Sequence, residues 1–307
     1  MTPDAYREFV HRGGIADLIG RTILRFTGGD RTRYLNGQVT ANVQSLNEGR
    51  SVAACVTTAK GKLSADGFVI NFGDALWFDA DSSLRDTLPA RFERYIIADD
   101  VTLEDMSETV HLVHLMPGAQ GTDFGELRAI PNARFGRPGF DILLSEDEVK
   151  RSLPELARKF VELSSDDVEN IRIEQGIPRW GAELDENTLP PEAGLDRTHI
   201  DYHKGCYIGQ EVISRLKSIG HVNRRLVGFV CTEGTAPGAG AQIVPSSSPE
   251  AEPCGSITSA GWSFALEKPV ALGYLRRSAP AGDFLARTSD PGAQPVPITV
   301  CELPFSK

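Results

Sequence analysis

From Asn223 onward the sequence offers only short apolar runs, and this limits what that end of the chain can become. Segments 226–231, 257–259, 271–275, 284–287 and 298–303 are strand-length, apolar or β-branched, and separated by turn formers. Strand-like pieces with no helical pattern between them predict a small antiparallel barrel. Within this region 234–255 is rich in Gly, Pro, Ser and Ala and reads as one mobile loop.

The preceding part has a different character. A short helix is expected over 3–10, stopped by Gly13 and Gly14, then a strand over 22–26. Asp30 stands where a helix N-cap would, ahead of Tyr34, Leu35 and Val39. Further strands are expected at 51–57, 67–72, 75–79, from 101, at 110–115 and at 140–144. Leu84, Leu88, Phe92 and Tyr95 or Ile96 form a helical stripe within 82–98, despite Pro89. Ser145 and Glu148 have capping-box spacing ahead of a helix to about 160, and another helix is expected from 165 to 175. Strands with intervening helices, but no strict strand–helix–strand repeat, mark an α+β fold.

At 307 residues the chain has room for two or three domains. Its formal net charge of −10 argues against a general or stable nucleic-acid partner, which needs a basic face. No apolar run approaches the roughly 20 residues that span a bilayer. The first residues show neither a signal core nor an arginine-rich transit pattern, so no membrane association and a cytoplasmic location are expected. The five cysteines are widely spaced, with no Cys-x-x-Cys pair, which fits neither a disulfide framework nor a zinc ribbon. His199 and His203 are four apart but lie among loop formers, and no metal site is expected.

The chemistry concentrates at 204–211, Lys-Gly-Cys-Tyr-Ile-Gly-Gln-Glu. Ile208, Val212, Leu216 and Ile219 fall on one helical face, so the octapeptide reads as a helix start. A cysteine there feels unpaired backbone N–H groups, and Lys204 is two residues from Cys206. Both favour the thiolate. The alternative is a buried cysteine serving as a small hydrophobe.

The octapeptide resembles the signature of the folate-binding proteins of the YgfZ type, relatives of the glycine-cleavage T-protein (aminomethyltransferase) that support iron–sulfur proteins. The Arg-Ile-Glu-Gln-Gly-Ile-Pro run at 172–178, the Thr-Leu-Pro-Pro-Glu-Ala-Gly run at 188–194 and the Gly-His-Val-Asn-Arg-Arg run at 220–225 are similar to other segments of that family. The resemblance implies a three-domain T-protein/YgfZ-like ring with a C-terminal antiparallel β-barrel and a central folate channel. It divides the chain into a discontinuous domain (1–33 and 108–220), an inserted domain (34–107) and the barrel (221–307).

The implied cofactor is tetrahydrofolate or a one-carbon derivative, and the implied partners are iron–sulfur assembly or client proteins. Cys206 and Lys204 would be the reactive pair. Glu174 matches the pterin-binding glutamate of the family, and Asp66 falls in a stretch similar to its acid pair, with Ala65 in place of the first acid. A carboxylate can accept from both donors on the pterin edge. Arg224 and Arg225 match paired arginines suited to the anionic tail. Trp180 could stack on the ligand or serve only as core. The implied function is an accessory role for iron–sulfur proteins; the alternative is a folate-dependent aminomethyltransferase or demethylating enzyme, against which Ala65 speaks.

Overall fold

The computed structural model describes residues 1–119, 124–218, 220–232, 234, 236–288 and 294–305. The chain opens with helix α1 (Pro3–Arg12), strands β1 (Gly13–Leu18) and β2 (Thr22–Thr27), and helix α2 (Arg31–Gln38). Strands β3 (Arg50–Thr57), β4 (Leu63–Asn71) and β5 (Leu76–Ala80) follow, then α3 (Leu88–Glu93) and β6 (Thr102–Asp105). Next come β7 (Val110–Pro117), β8 (Ile130–Asn132), β9 (Gly139–Ser145), α4 (Glu146–Lys159), β10 (Val161–Glu162) and α5 (Ser165–Glu174). Two 3-10 turns, Pro190–Ala193 and Leu195–Arg197, lead to α6 (Gln210–Ser218). The remainder is β11 (Arg224–Cys231), β12 (Gln242–Pro245), β13 (Gly255–Ser263), β14 (Lys268–Arg276), β15 (Phe284–Arg287) and β16 (Val296–Cys301).

These strands make two five-stranded sheets and a closed barrel. The first sheet runs β10-β1-β7-β9-β8, the second β3-β4-β5-β2-β6, and the barrel β11-β14-β13-β12-β15-β16. The chain leaves the first sheet after Leu18 and returns to it at β7. Strand β2 pairs with β5 and β6, so Thr22–Thr27 shares a sheet with the strands that follow it.

Each unit buries its own apolar face. Phe26, Leu35, Phe78 and Phe92 pack together over the second sheet. In such a core each large side chain contributes about 1.5–3 kcal/mol. Tyr34 keeps its polar end satisfied by donating to the Phe92 carbonyl at 2.6 Å. Leu156 and Phe160 close the first sheet, and Phe229, Ile243 and Ala286 lie in the barrel core. Helix α5 is capped reciprocally: Ser164 Oγ accepts from the Asp167 amide, and Asp167 Oδ2 accepts from the Ser164 amide. Its Ile173 packs on Val270 and Leu272 of β14, joining helix to barrel.

Some expectations fail locally. The single helix over 82–98 is instead a 3-10 turn, Ser82–Leu84, and the separate helix α3. Pro89 lacks an N–H and fits only the first turn of a helix, so a helix restarts at Leu88. Most of the stripe is nevertheless buried: Leu84, Leu88 and Phe92 lie in the core and Ile96 packs against it, while Tyr95 is exposed. Asp30 precedes α2 but does not cap it; its carboxylate accepts from the Asp100 amide instead. The stretch 234–255 contains β12, a barrel strand.

Candidate functional site

A cavity of about 1450 Å³ is walled by both sheets, the 178–199 segment and the barrel. Strand β4 supplies one of its acids, beside Asp81, Glu192, Asp196 and Glu302. Successive residues on a strand face opposite ways. Asp66 and Phe68 line the cavity, while Ala65 and Val69 pack into the core. An acid at position 65 would therefore point into packed side chains, so Ala65 by itself does not separate a transferase from a non-enzyme. Burial pushes the Asp66 carboxyl up to about 6, with the Arg21 charge pulling the other way.

Behind Asp66 lies a buried charge relay that spans the two sheets. Arg21 donates to Asp79 of β5 at 2.8 Å, and Arg134 donates to Asp79 at 2.5 Å and to Asp141 of β9 at 2.6 Å. His114 Nδ1 is 2.7 Å from Asp141. Burial lowers the His114 pKa against the pull of Asp141, so its neutral ring donates from Nδ1. Its Nε2 is buried without a hydrogen-bond partner. The Arg134 guanidinium lies 4.4 Å from the centre of the Phe68 ring, which fixes that aromatic at the cavity wall. Arg21 and Arg134 also line the cavity. These residues are scattered in sequence and short motifs do not flag them; only the topology brings them together.

Trp180 lines the cavity and also packs against the second sheet's core. His199 lines it too, with burial lowering its pKa to about 4, which keeps the ring neutral. Arg225 reaches the cavity; Arg224 does not. Arg224 bonds Glu192 at 3.0 Å and lies 4.2 Å from the Tyr274 ring centre, so its charge is already paired.

Glu174 stands apart from the cavity: it is buried but is not among the lining residues. Its Oε2 accepts from Ser263 Oγ at 2.8 Å and from the Ala265 amide at 3.1 Å. The carboxylate at the end of α5 thus holds the β13–β14 turn. Two residues earlier, Arg172 bonds Glu183 at 3.0 Å and Ser259 at 2.6 Å, a second tie between α5 and the barrel.

The 204–211 motif lies outside the cavity wall. Helix α6 begins at Gln210, four residues past Cys206, so the cysteine is not in the helix's first turn as expected. Ile219 of the expected apolar face lies outside the described residues. Lys204 is buried, and its Nζ donates to the carbonyls of Asn36, Val39 and Ala41 at 2.5, 2.7 and 2.6 Å. Three donors are all an ammonium has. Lys204 is thus a plug in the end of α2 and is not available to exchange protons with Cys206. Burial lowers its pKa to about 8.

Tyr207 is buried beside it. Gly209 has φ +88°, and a Cβ there would lie 2.5 Å from the Thr58 carbonyl. That position needs glycine twice over. Lys204, Tyr207 and Gly209 pin the loop down, and Gly205 and Cys206 stand exposed between them. The small-hydrophobe alternative for Cys206 does not hold.

Two α+β sheets and a closed six-stranded barrel about one central cavity define a T-protein-like fold. Residues 224–307 match the glycine cleavage T-protein C-terminal barrel domain. The whole fold resembles the glycine cleavage system aminomethyltransferase T of Bartonella henselae with a TM-score of 0.84, over 98% of this chain and 88% of that one, at 16% identity. The chain is 27% identical to an aminomethyltransferase of Rubrobacter xylanophilus, across 96% of this chain and 83% of that protein. It is 26% identical to the tRNA-modifying protein YgfZ of Yersinia pestis, across 72% of each. The chain is a relative of the YgfZ proteins and, with them, of the T-protein aminomethyltransferases. Among the described residues, no helix is long and apolar enough to cross a membrane.

Proposed function

We propose that the chain binds tetrahydrofolate, or a one-carbon derivative of it, in the central cavity and acts in the cytoplasm as an accessory factor for iron–sulfur proteins, presenting Cys206 to a client or assembly partner. The observation that carries the folate reading is Asp66 at the wall of a large cavity beside an aromatic surface. Ionised, Asp66 can accept from two donors on a pterin edge, with Phe68 and Trp180 offering ring faces to the flat heterocycle. Arg225 stands at the wall for the carboxylates of the tail. The accessory role is supported by the YgfZ relatives and by the way the motif spends three residues on fixing one exposed thiol. We also propose three domains, with the first boundary near residue 20 because β2 pairs with β5 and β6.

Calorimetric titration with tetrahydrofolate tests the site. Binding by the wild type is expected, weakened by more than about tenfold in Asp66→Asn, since a charge-assisted pair is worth about 1.5–3 kcal/mol. No binding by the folded wild type would sink the reading. In cells lacking the protein, Cys206→Ser is expected to fail to restore iron–sulfur enzyme activity although it folds and binds folate.

A second reading is favoured by the near full-length similarity to an aminomethyltransferase. Formation of methylenetetrahydrofolate from an aminomethylated carrier protein would establish it in place of the first.

A further inference from the structure

At one end of the barrel a second pocket of about 650 Å³ adjoins the central cavity, and Arg225 and Val300 line both. His221, Arg224, Arg276 and Arg277 line it as well, and no carboxylate does among the described residues. Arg224 is neutralised by Glu192, but Arg225, Arg276 and Arg277 are exposed and make no ion pair within 4.0 Å among the described residues. Such a cluster stands out in a chain of net charge −10. Arg225, Arg276 and Arg277 thus gather unpaired positive charge where the pocket meets the central cavity.

We propose that this pocket receives an anionic extension of the cavity's ligand, a chain of glutamates linked to the tail of a reduced folate. The proposal rests on the folate reading above. Arg225 takes the first carboxylate at the junction, and Arg276 and Arg277 take those that follow. Planar guanidinium groups match carboxylates in pairs of hydrogen bonds, which suits repeated carboxylates better than a single diffuse charge. Continuity with the cavity favours a tethered tail over a separate polyanion.

The test compares tetrahydrofolate monoglutamate and triglutamate on the wild type and on Arg276→Gln/Arg277→Gln. Both changed residues are exposed, so the variant is expected to fold. The triglutamate should bind the wild type on the order of tenfold more tightly, an advantage that shrinks with added salt. In the double variant that advantage should fall to within about twofold, with monoglutamate affinity unchanged. Equal affinities in the wild type, or an advantage kept in the variant, would overturn the tail site alone. Failure of both ligands to bind would overturn the folate reading and this proposal with it. Capture of a folded RNA, abolished in the variant and without any tail advantage, would assign the face to nucleic acid and overturn it too.

Discussion

Asp66 and Cys206 are the two residues whose chemistry remains open in the folded chain. Asp66 has a folded-state pKa raised to about 6 by burial. Its protonated form is the one the fold prefers, so its contribution to stability is fully present below about pH 4 and lost as the pH rises through about 6. Asp66→Asn should therefore have a higher Tm than the wild type at about pH 7–8, the gain disappearing toward about pH 4. Folate affinity should run the other way. It should rise through about pH 6 in the wild type, as the carboxylate becomes a double acceptor, and stay flat in the variant. Thermal scans and titrations over that range check both signs.

For Cys206 the expected order of reaction follows from exposure. Cys254 is buried and its Sγ lies 3.4 Å from the Ile243 carbonyl. Burial pushes the thiols of Cys231 and Cys301 up to about 11 and that of Cys55 well above its usual range. A limiting alkylating reagent should label Cys206 first and half-buried Cys301 next, read by peptide mass spectrometry; earlier labelling of Cys254 would contradict this.

Among the elements, the loop that carries Cys206 is held from below. Lys204→Met keeps the stem but leaves three carbonyls at the end of α2 without their donor. Each orphaned group costs about 1–3 kcal/mol unless water replaces the ammonium. The variant should lose Tm and show faster amide exchange over 201–209, whereas Cys206→Ser should do neither.

What the sequence shows at this scale depends on how local the cause is. The capping pair Ser145 and Glu148, the helix stripe through Leu84 and Phe92 and most of the short barrel strands were legible because neighbours in sequence are neighbours in space. Strand β1 begins with two glycines, β8 has three residues and β12 lies within turn formers, so none carries a strand signal of its own; pairing partners far along the chain create them. The same holds for the site. Asp66 and Arg225 were visible through motifs, and the motif around Glu174 marked its segment but not its partners. The Arg21–Asp79–Arg134–Asp141 relay had no local signature, since each of its residues belongs to a different stretch of chain.

At the scale of the whole molecule, Leu18 and Pro304, from opposite ends of the chain, line one cavity. The ties that close it, Glu174 to the β13–β14 turn and Arg172 to Glu183 and Ser259, all run between α5 and the barrel or the segment leading to it. A small molecule bound there has affinity only for the fully docked state, so by mass action it stabilises that state against every partial opening at once. On the proposed folate reading, cofactor supply would then govern how long the chain survives proteolysis, making its abundance in a cell a readout of the reduced-folate pool.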